Sequence, residues 1–188
     1  KAVSLRLLML IEKLTHTIPL PEGVSVDSSN PDVKVAGPRG ELSRHFEHPS
    51  IKFKQEENQL QIIGNKLRKK EKALIGTWKA HLLNMVNGVN QGFLYEMKVV
   101  FAHFPMKVAV KGKNVTIDNF LGEKATRTAA IAGDVKVNVK GDIVTIEGND
   151  KECVGQTAGN LEKATTVKGR DTRVFQDGVY VISKGVAQ

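Results

Sequence analysis

An internal duplication with a period of about eighty residues limits, more than any other feature, what this chain can fold into. Val33-Lys34-Val35-Ala36-Gly37-Pro38-Arg39-Gly40-Glu41 aligns with Val115-Thr116-Ile117-Asp118-Asn119-Phe120-Leu121-Gly122-Glu123. Both begin on an alternating β-branched pair and close on Gly-Glu. Upstream, Ile18-Pro19 sits beside Phe104-Pro105. Downstream, Leu60-Gln61-Ile62-Ile63-Gly64-Asn65 sits beside Val144-Thr145-Ile146-Glu147-Gly148-Asn149, and each copy then runs into a helical pattern. The period is too long for a solenoid repeat and suits a small domain. The landmarks predict an N-terminal extension over 1–15 and two similar domains over 16–94 and 95–188, with Gly40 and Gly122 in equivalent turns.

The second copy holds a finer repeat. Lys107-Val108-Ala109-Val110-Lys111-Gly112 and Lys136-Val137-Asn138-Val139-Lys140-Gly141 are each soon followed by Val-Thr-Ile. Alternation with period two places one set of side chains on a core face and the other in water. The glycine breaks at 112–114 and 141–142 are hairpin chemistry. A helix capped by Asn149 or Asp150 follows, with Val154, Ala158, Leu161 and Thr165 on one stripe. In the first copy Leu74, Trp78, Leu82, Met85 and Val89 form the matching stripe, and Gly88 is placed to end it. The fold class is therefore α+β: two tandem similar domains, each a small antiparallel sheet of hairpins packed with one helix.

The 188 residues carry a net charge of +8. Residues 1–94 hold 14 basic and 9 acidic side chains, and residues 95–188 hold 14 and 11, so both domains are basic. That balance suits a polyanionic partner as well as solubility. A single cysteine, Cys153, excludes an intramolecular disulfide, fits a reducing compartment and reads as a buried structural thiol. The uncharged apolar run at 7–11 is far too short to span a bilayer. Residues 1–14 read as a strand or short helix packed on the first domain, and no membrane partner is expected.

Sites for catalysis, cofactors or metals are not expected. His45 and His48 have ligand-like spacing beside Glu47, but no Cys or third His accompanies them. Gly37-Pro38-Arg39-Gly40 lacks the Gly-Lys-Ser/Thr of a phosphate loop and reads as a hairpin turn. Ser43, His45 and Asp177 could be forced into a triad, but no nucleophile elbow supports it. Neither a small-molecule substrate nor a cofactor is implied.

Two segments concentrate positive charge. Lys66, Arg68, Lys69, Lys70 and Lys72 surround a lone Glu71 just before the first helix, where cations oppose the helix dipole; this suggests an external anion. Lys163, Lys168, Arg170 and Arg173 surround a lone Asp171 just after the second. There Gly169 allows close approach of backbone and guanidinium to phosphate. Beyond them Phe175 and Val181 read as core, Asp177-Gly178 as a turn, and Tyr180 as core rather than a base-stacking surface.

These residues also carry a family resemblance. From about Ile18 to Gly185 the chain resembles the universal sixth protein of the large ribosomal subunit, in the archaeal and eukaryotic branch where eukaryotes number it nine. The resemblance rests on Val35-Ala36-Gly37-Pro38-Arg39-Gly40, His103-Phe104-Pro105, Asn119-Phe120-Leu121-Gly122-Glu123-Lys124, Glu147-Gly148-Asn149-Asp150 and the tail from Arg173 to Lys184. Lys163 departs from the Gln of the family pattern. The resemblance implies a structural, non-catalytic constituent of the cytoplasmic large subunit. It implies binding to large-subunit ribosomal RNA near the sarcin–ricin loop and the base of the factor-recruiting stalk, with neighbouring ribosomal proteins as further partners. It points to the second domain as the main RNA-binding domain. There Lys163, Lys168, Arg170, Arg173, Lys184, Lys124 and Arg127 are the expected contacts, and Lys66, Arg68, Lys69, Lys70 and Lys72 are secondary candidates. Contact would come from phosphate neutralisation and shape fit, with little base reading. A competing class is a free basic protein-interaction module with a duplicated domain, which would need an exposed apolar or aromatic patch. Aromatic residues make up only 5% of the chain.

Overall fold

The computed structural model describes residues 11–29, 31–56 and 59–187, and the chain divides into two compact units, 1–90 and 91–188. The expected N-terminal strand or helix lies, for residues 1–10, outside the described residues. Residues 11–15, expected in an extension, belong to the first strand of the first unit.

The first unit runs β1 (Ile11–Pro19), β2 (Ser25–Ser29), β3 (Asp32–Gly37), β4 (Gly40–His45), β5 (Ile51–Glu56), β6 (Gln59–Leu67) and α1 (Lys69–Asn90). The second runs β7 (Phe93–Val100), β8 (Lys107–Lys111), β9 (Asn114–Asp118), β10 (Arg127–Ala130), β11 (Lys136–Lys140), β12 (Ile143–Gly148), α2 (Lys151–Ala164) and β13 (Gly178–Val186). Each unit splits its hairpins between two antiparallel sheets. In the first these are β1-β6-β5 and β2-β3-β4; in the second, β11-β12-β7-β13 and β10-β9-β8. With β1 set against β7, β2 against β8 and so on, the strand order is identical, and β13 is an added edge strand.

The alignment of the two copies has a physical basis. Val33 and Val35 on β3, and Val115 and Ile117 on β9, are all fully buried. Leu60 and Ile62 on β6 match Val144 and Ile146 on β12 in the same way. Gly64 and Gly148 end these runs where the helix crosses the sheet. A Cβ there would lie 2.5 Å from Ile75 Cδ1 or 2.9 Å from Val154 Cγ2. Glycine at these positions lets the helix side chains pack directly on the strand, and a larger residue would push them aside.

The glycine turns fall between equivalent strands but differ in form. Gly40 closes a two-residue turn from β3 to β4, with Gly37 paired to Gly40. Gly122 ends a 3-10 turn, Phe120–Gly122, in a longer connection between β9 and β10. The Phe104-Pro105 landmark does not hold. Ile18 is fully buried in β1, whereas Phe104 lies beyond the end of β7 and is 42% exposed.

Two helix expectations meet different fates. In α2, Asp150 accepts from the Glu152 N–H at 2.9 Å, and Val154, Thr157, Ala158 and Leu161 are buried. In α1, Ile75, Trp78, Leu82, Met85, Val86 and Val89 are buried. Gly88 does not end that helix. It is buried within it, because the apolar stripe continues to Val89, and the left-handed residue is Gly92 (φ +75). Among the described residues no helix is long and apolar enough to cross a membrane, and no group of side chains could hold a metal ion. His45 is instead held between Asp32 (2.8 Å) and Glu47 (3.3 Å), whose hydrogen bonds raise its pKa.

Candidate nucleic-acid interface

Three loops of the second unit meet at one surface: 101–106 after β7, 119–126 between β9 and β10, and 165–177 between α2 and β13. The sequence separates them widely, and specific contacts join them. Asn119 Nδ2 donates to the Pro105 carbonyl at 3.0 Å. The Ala102 N–H donates to Asp177 Oδ1 at 3.0 Å. The rings of His103 and Phe175 lie 4.9 Å apart. The 119–126 loop is locally strained, with Asn119 (φ +61) and Leu121 (φ +51) both left-handed and Leu121 buried. Such backbone persists only where its surroundings fix it, and it clusters at working sites.

The 165–177 loop is fixed at both ends. At its start, Thr165 is buried; its hydroxyl donates to the Leu161 carbonyl and its oxygen accepts from the Val179 N–H at 3.0 Å. Glu162 Oε1 accepts from the Val181 N–H at 3.2 Å. At its end stands Asp177, which is no turn former. It is fully buried, holds Ala102, and faces His103 Nδ1 at 3.7 Å. Here long-range burial overrides the local turn preference of Asp-Gly, and Gly178 already opens β13. Within the loop the Asp171 carbonyl accepts from the N–H groups of Val174 and Phe175.

The expected contact residues separate into distinct environments. Arg170 is exposed, with its guanidinium 4.8 Å from the centre of the Phe175 ring. Phe175 is half-buried, so it serves both as core and as the support of this cation. Arg173 forks onto Asp171, at 3.0 Å and 3.2 Å, while staying 88% exposed. That pairing lowers the Asp171 pKa, and the partner is Asp171 rather than Asp177. Lys124, Lys163 and Lys168 are exposed. Lys184 is exposed far along β13, paired opposite Tyr95, with Nζ 5.8 Å from that ring. At about 3.3 Å per residue it stands roughly 20 Å from the loop.

Arg127, also an expected contact, is more enclosed than the others, with its side chain 22% exposed. Its guanidinium is bidentate on Glu123 (2.6 Å and 2.8 Å) and donates to the carbonyls of Ala164 (2.8 Å) and Thr166 (3.1 Å). It also lies 4.2 Å from the Phe120 ring centre. Glu123 is correspondingly held below its usual pKa, first by the hydrogen bonds from Arg127, with smaller contributions from the charges of Arg127 and Arg170.

Sequence reasoning missed His103, Phe104 and Phe175 as parts of this surface, although two of them sit in the quoted His-Phe-Pro stretch. It also placed Tyr180 in the core. Tyr180 is 47% exposed, folded over Gly178, and donates its hydroxyl to the Gln176 carbonyl at 3.1 Å.

In the first unit Lys66, Arg68, Lys69, Lys70 and Lys72 are exposed around the start of α1. Glu71 Oε2 accepts from the Arg68 N–H at 2.7 Å, so the helix supplies its own anion at that end.

Cys153 lies in the first turn of α2 and is half-buried. Its thiol donates to Asp150 Oδ2 at 3.2 Å, and burial, then Asp150, pushes its pKa up to about 11. A raised folded pKa stabilises below the unfolded value, so this contribution is lost as pH rises from about 9 towards 11. At pH 8 the folded chain should react with thiol reagents much more slowly than the urea-unfolded chain. Equal rates would show an open thiolate.

The family model described as Ribosomal protein L6 matches residues 20–92 and again 104–178, one match per repeat. The chain belongs to the ribosomal protein L6 family. It is 56% identical over 171 residues to the large ribosomal subunit protein uL6 of Methanobrevibacter smithii, covering 91% of this chain and 96% of that one. It is 46% identical to the uL6 protein of Methanothrix thermoacetophila, covering 93% and 99%, and 44% identical to that of Thermoplasma volcanium, covering 89% and 94%. L6 family members are structural, non-enzymatic proteins of the cytoplasmic large ribosomal subunit. Membership implies association with that subunit and its RNA.

Proposed function

We propose that this chain binds large-subunit ribosomal RNA through the three-loop surface of its second unit, near the sarcin–ricin loop and the base of the factor-recruiting stalk. Lys124, Lys163, Lys168, Arg170 and Arg173 neutralise phosphates there. Lys184 makes a separate contact along β13. The observation that carries the reading is the 165–177 loop. It is anchored at both ends and holds the Arg170 guanidinium against Phe175 in an exposed position. A cation placed in advance loses less entropy when it meets a phosphate than a free side chain does. Lys66, Arg68, Lys69, Lys70 and Lys72 form a secondary contact on the first unit.

Neighbouring ribosomal proteins are proposed to meet β13. It forms an edge of its sheet, with Ile182 59% and Val186 46% exposed. An open edge with apolar side chains favours a protein neighbour over bulk water.

Crosslinking the chain to RNA in assembled large subunits should join peptides spanning 163–173 to nucleotides at the sarcin–ricin loop. Crosslinks confined to the 66–72 segment would overturn this assignment.

A further inference from the structure

Arg127 joins the 119–126 loop to the end of α2 and the start of the 165–177 loop. It leaves β10, stacks on the buried Phe120, forks onto Glu123, and closes the end of α2 through the carbonyls of Ala164 and Thr166. These two carbonyls flank Thr165, whose hydroxyl oxygen anchors Val179 at the start of β13. Four guanidinium hydrogen bonds and a ring contact therefore converge where the 165–177 loop departs. The side chain is only 22% exposed, so little of its fork is open to an external anion.

We propose that Arg127 is a positioning residue for RNA binding. It clasps the 119–126 loop to the root of the 165–177 loop and so presents Arg170 and its neighbours in a binding-ready arrangement. The proposal rests on the RNA reading above. A planar guanidinium is needed, because one group must satisfy a carboxylate in bidentate fashion and two carbonyls on another edge. A lysine ammonium offers a point charge and cannot span both. The clasp contributes to affinity by ordering the loop before contact, and removes no phosphate contact when it is lost.

The test uses the full chain with Arg127→Ala, Arg127→Lys and Glu123→Ala. Two quantities are read: amide hydrogen exchange of residues 165–177 in the free protein, and affinity for a full-length large-subunit ribosomal RNA transcript across a salt series. Both Arg127 variants should exchange faster in the loop and bind about tenfold more weakly, with the slope of log affinity against log salt unchanged. Lysine should rescue neither quantity. Glu123 is 41% exposed, so its removal does not threaten the core. Glu123→Ala should loosen the loop and weaken binding, although it deletes an anion beside the RNA; simple charge counting requires tighter binding.

Unchanged exchange in both Arg127 variants would overturn the clasp whatever the RNA does. Restored affinity in Arg127→Lys, or a slope lower by about 0.9 in Arg127→Ala, would assign Arg127 a direct phosphate contact instead. A wild-type chain that fails to bind the transcript would sink the RNA reading itself, and the exchange data would still decide the clasp.

Discussion

Trp78→Ala should lower the unfolding free energy of the first unit by about 3–5 kcal/mol, read from denaturant unfolding followed by far-ultraviolet circular dichroism. The indole is 6% exposed on α1 and is the hub of an aromatic cluster. Its ring centre lies 5.5 Å from Phe53 in a stacked arrangement and 5.2 Å from Phe46, and Phe46 and Phe53 are 5.7 Å apart. Phe53 stands on β5, in one sheet. Phe46 directly follows β4, in the other, and its N–H is held by the Pro31 carbonyl at 2.8 Å. The indole is thus the shared filling between helix and both sheets. Truncation removes its transfer free energy, leaves a cavity bounded by two rigid rings, and forfeits ring–ring contacts worth about 0.5–1.5 kcal/mol each. A loss under about 1 kcal/mol would mean that the two sheets close on each other without it.

What the sequence revealed was whatever repeats with a short period. Val33, Val35, Val115 and Ile117 alternate with polar residues, and alternation is dictated by the pleat of the strand itself. Gly112 and Gly141 marked hairpins because both take φ +59, where a Cβ is disfavoured. Trp78 was legible because helical spacing puts it in line with Leu82 and Met85. The candidate site was legible only in its charges. Its geometry depends on contacts that no local pattern encodes: Arg127 meets carbonyls 37 and 39 residues away, and Asp177 an N–H 75 residues away. The same reason explains the misplaced residues. Asp-Gly has a local turn preference, but burial of Asp177 outweighs it. Tyr180 looks apolar in composition, yet it points to the opposite face of β13 from the fully buried Val179, which leaves the ring outside.

Arg170→Ala should weaken binding to large-subunit ribosomal RNA by roughly 10–100-fold at fixed salt. Charge-assisted hydrogen bonds contribute about 1.5–3 kcal/mol, and about 1.4 kcal/mol is tenfold. It should also reduce the slope of log affinity against log salt by up to about 0.9, because one phosphate contact and its released counterion are gone. Lysine at this position should restore the slope and part of the affinity, since charge returns without the flat face that rests on Phe175. Arg173→Ala has a different logic. Arg173 is paired with Asp171, so its removal deletes a cation and also exposes a carboxylate to the RNA. Its loss of affinity should therefore be partly repaired by Asp171→Asn. That change keeps an oxygen for the Arg173-position N–H, which Asp171 Oδ1 now holds at 2.9 Å, so the loop survives. If Arg173 is chiefly a phosphate ligand, the double variant binds no better than Arg173→Ala. If it chiefly screens Asp171, the double variant approaches wild type, and Asp171→Asn alone tightens binding. An Arg170→Ala variant with wild-type affinity and slope would remove the 165–177 loop from the RNA interface, whichever way Arg173 behaves.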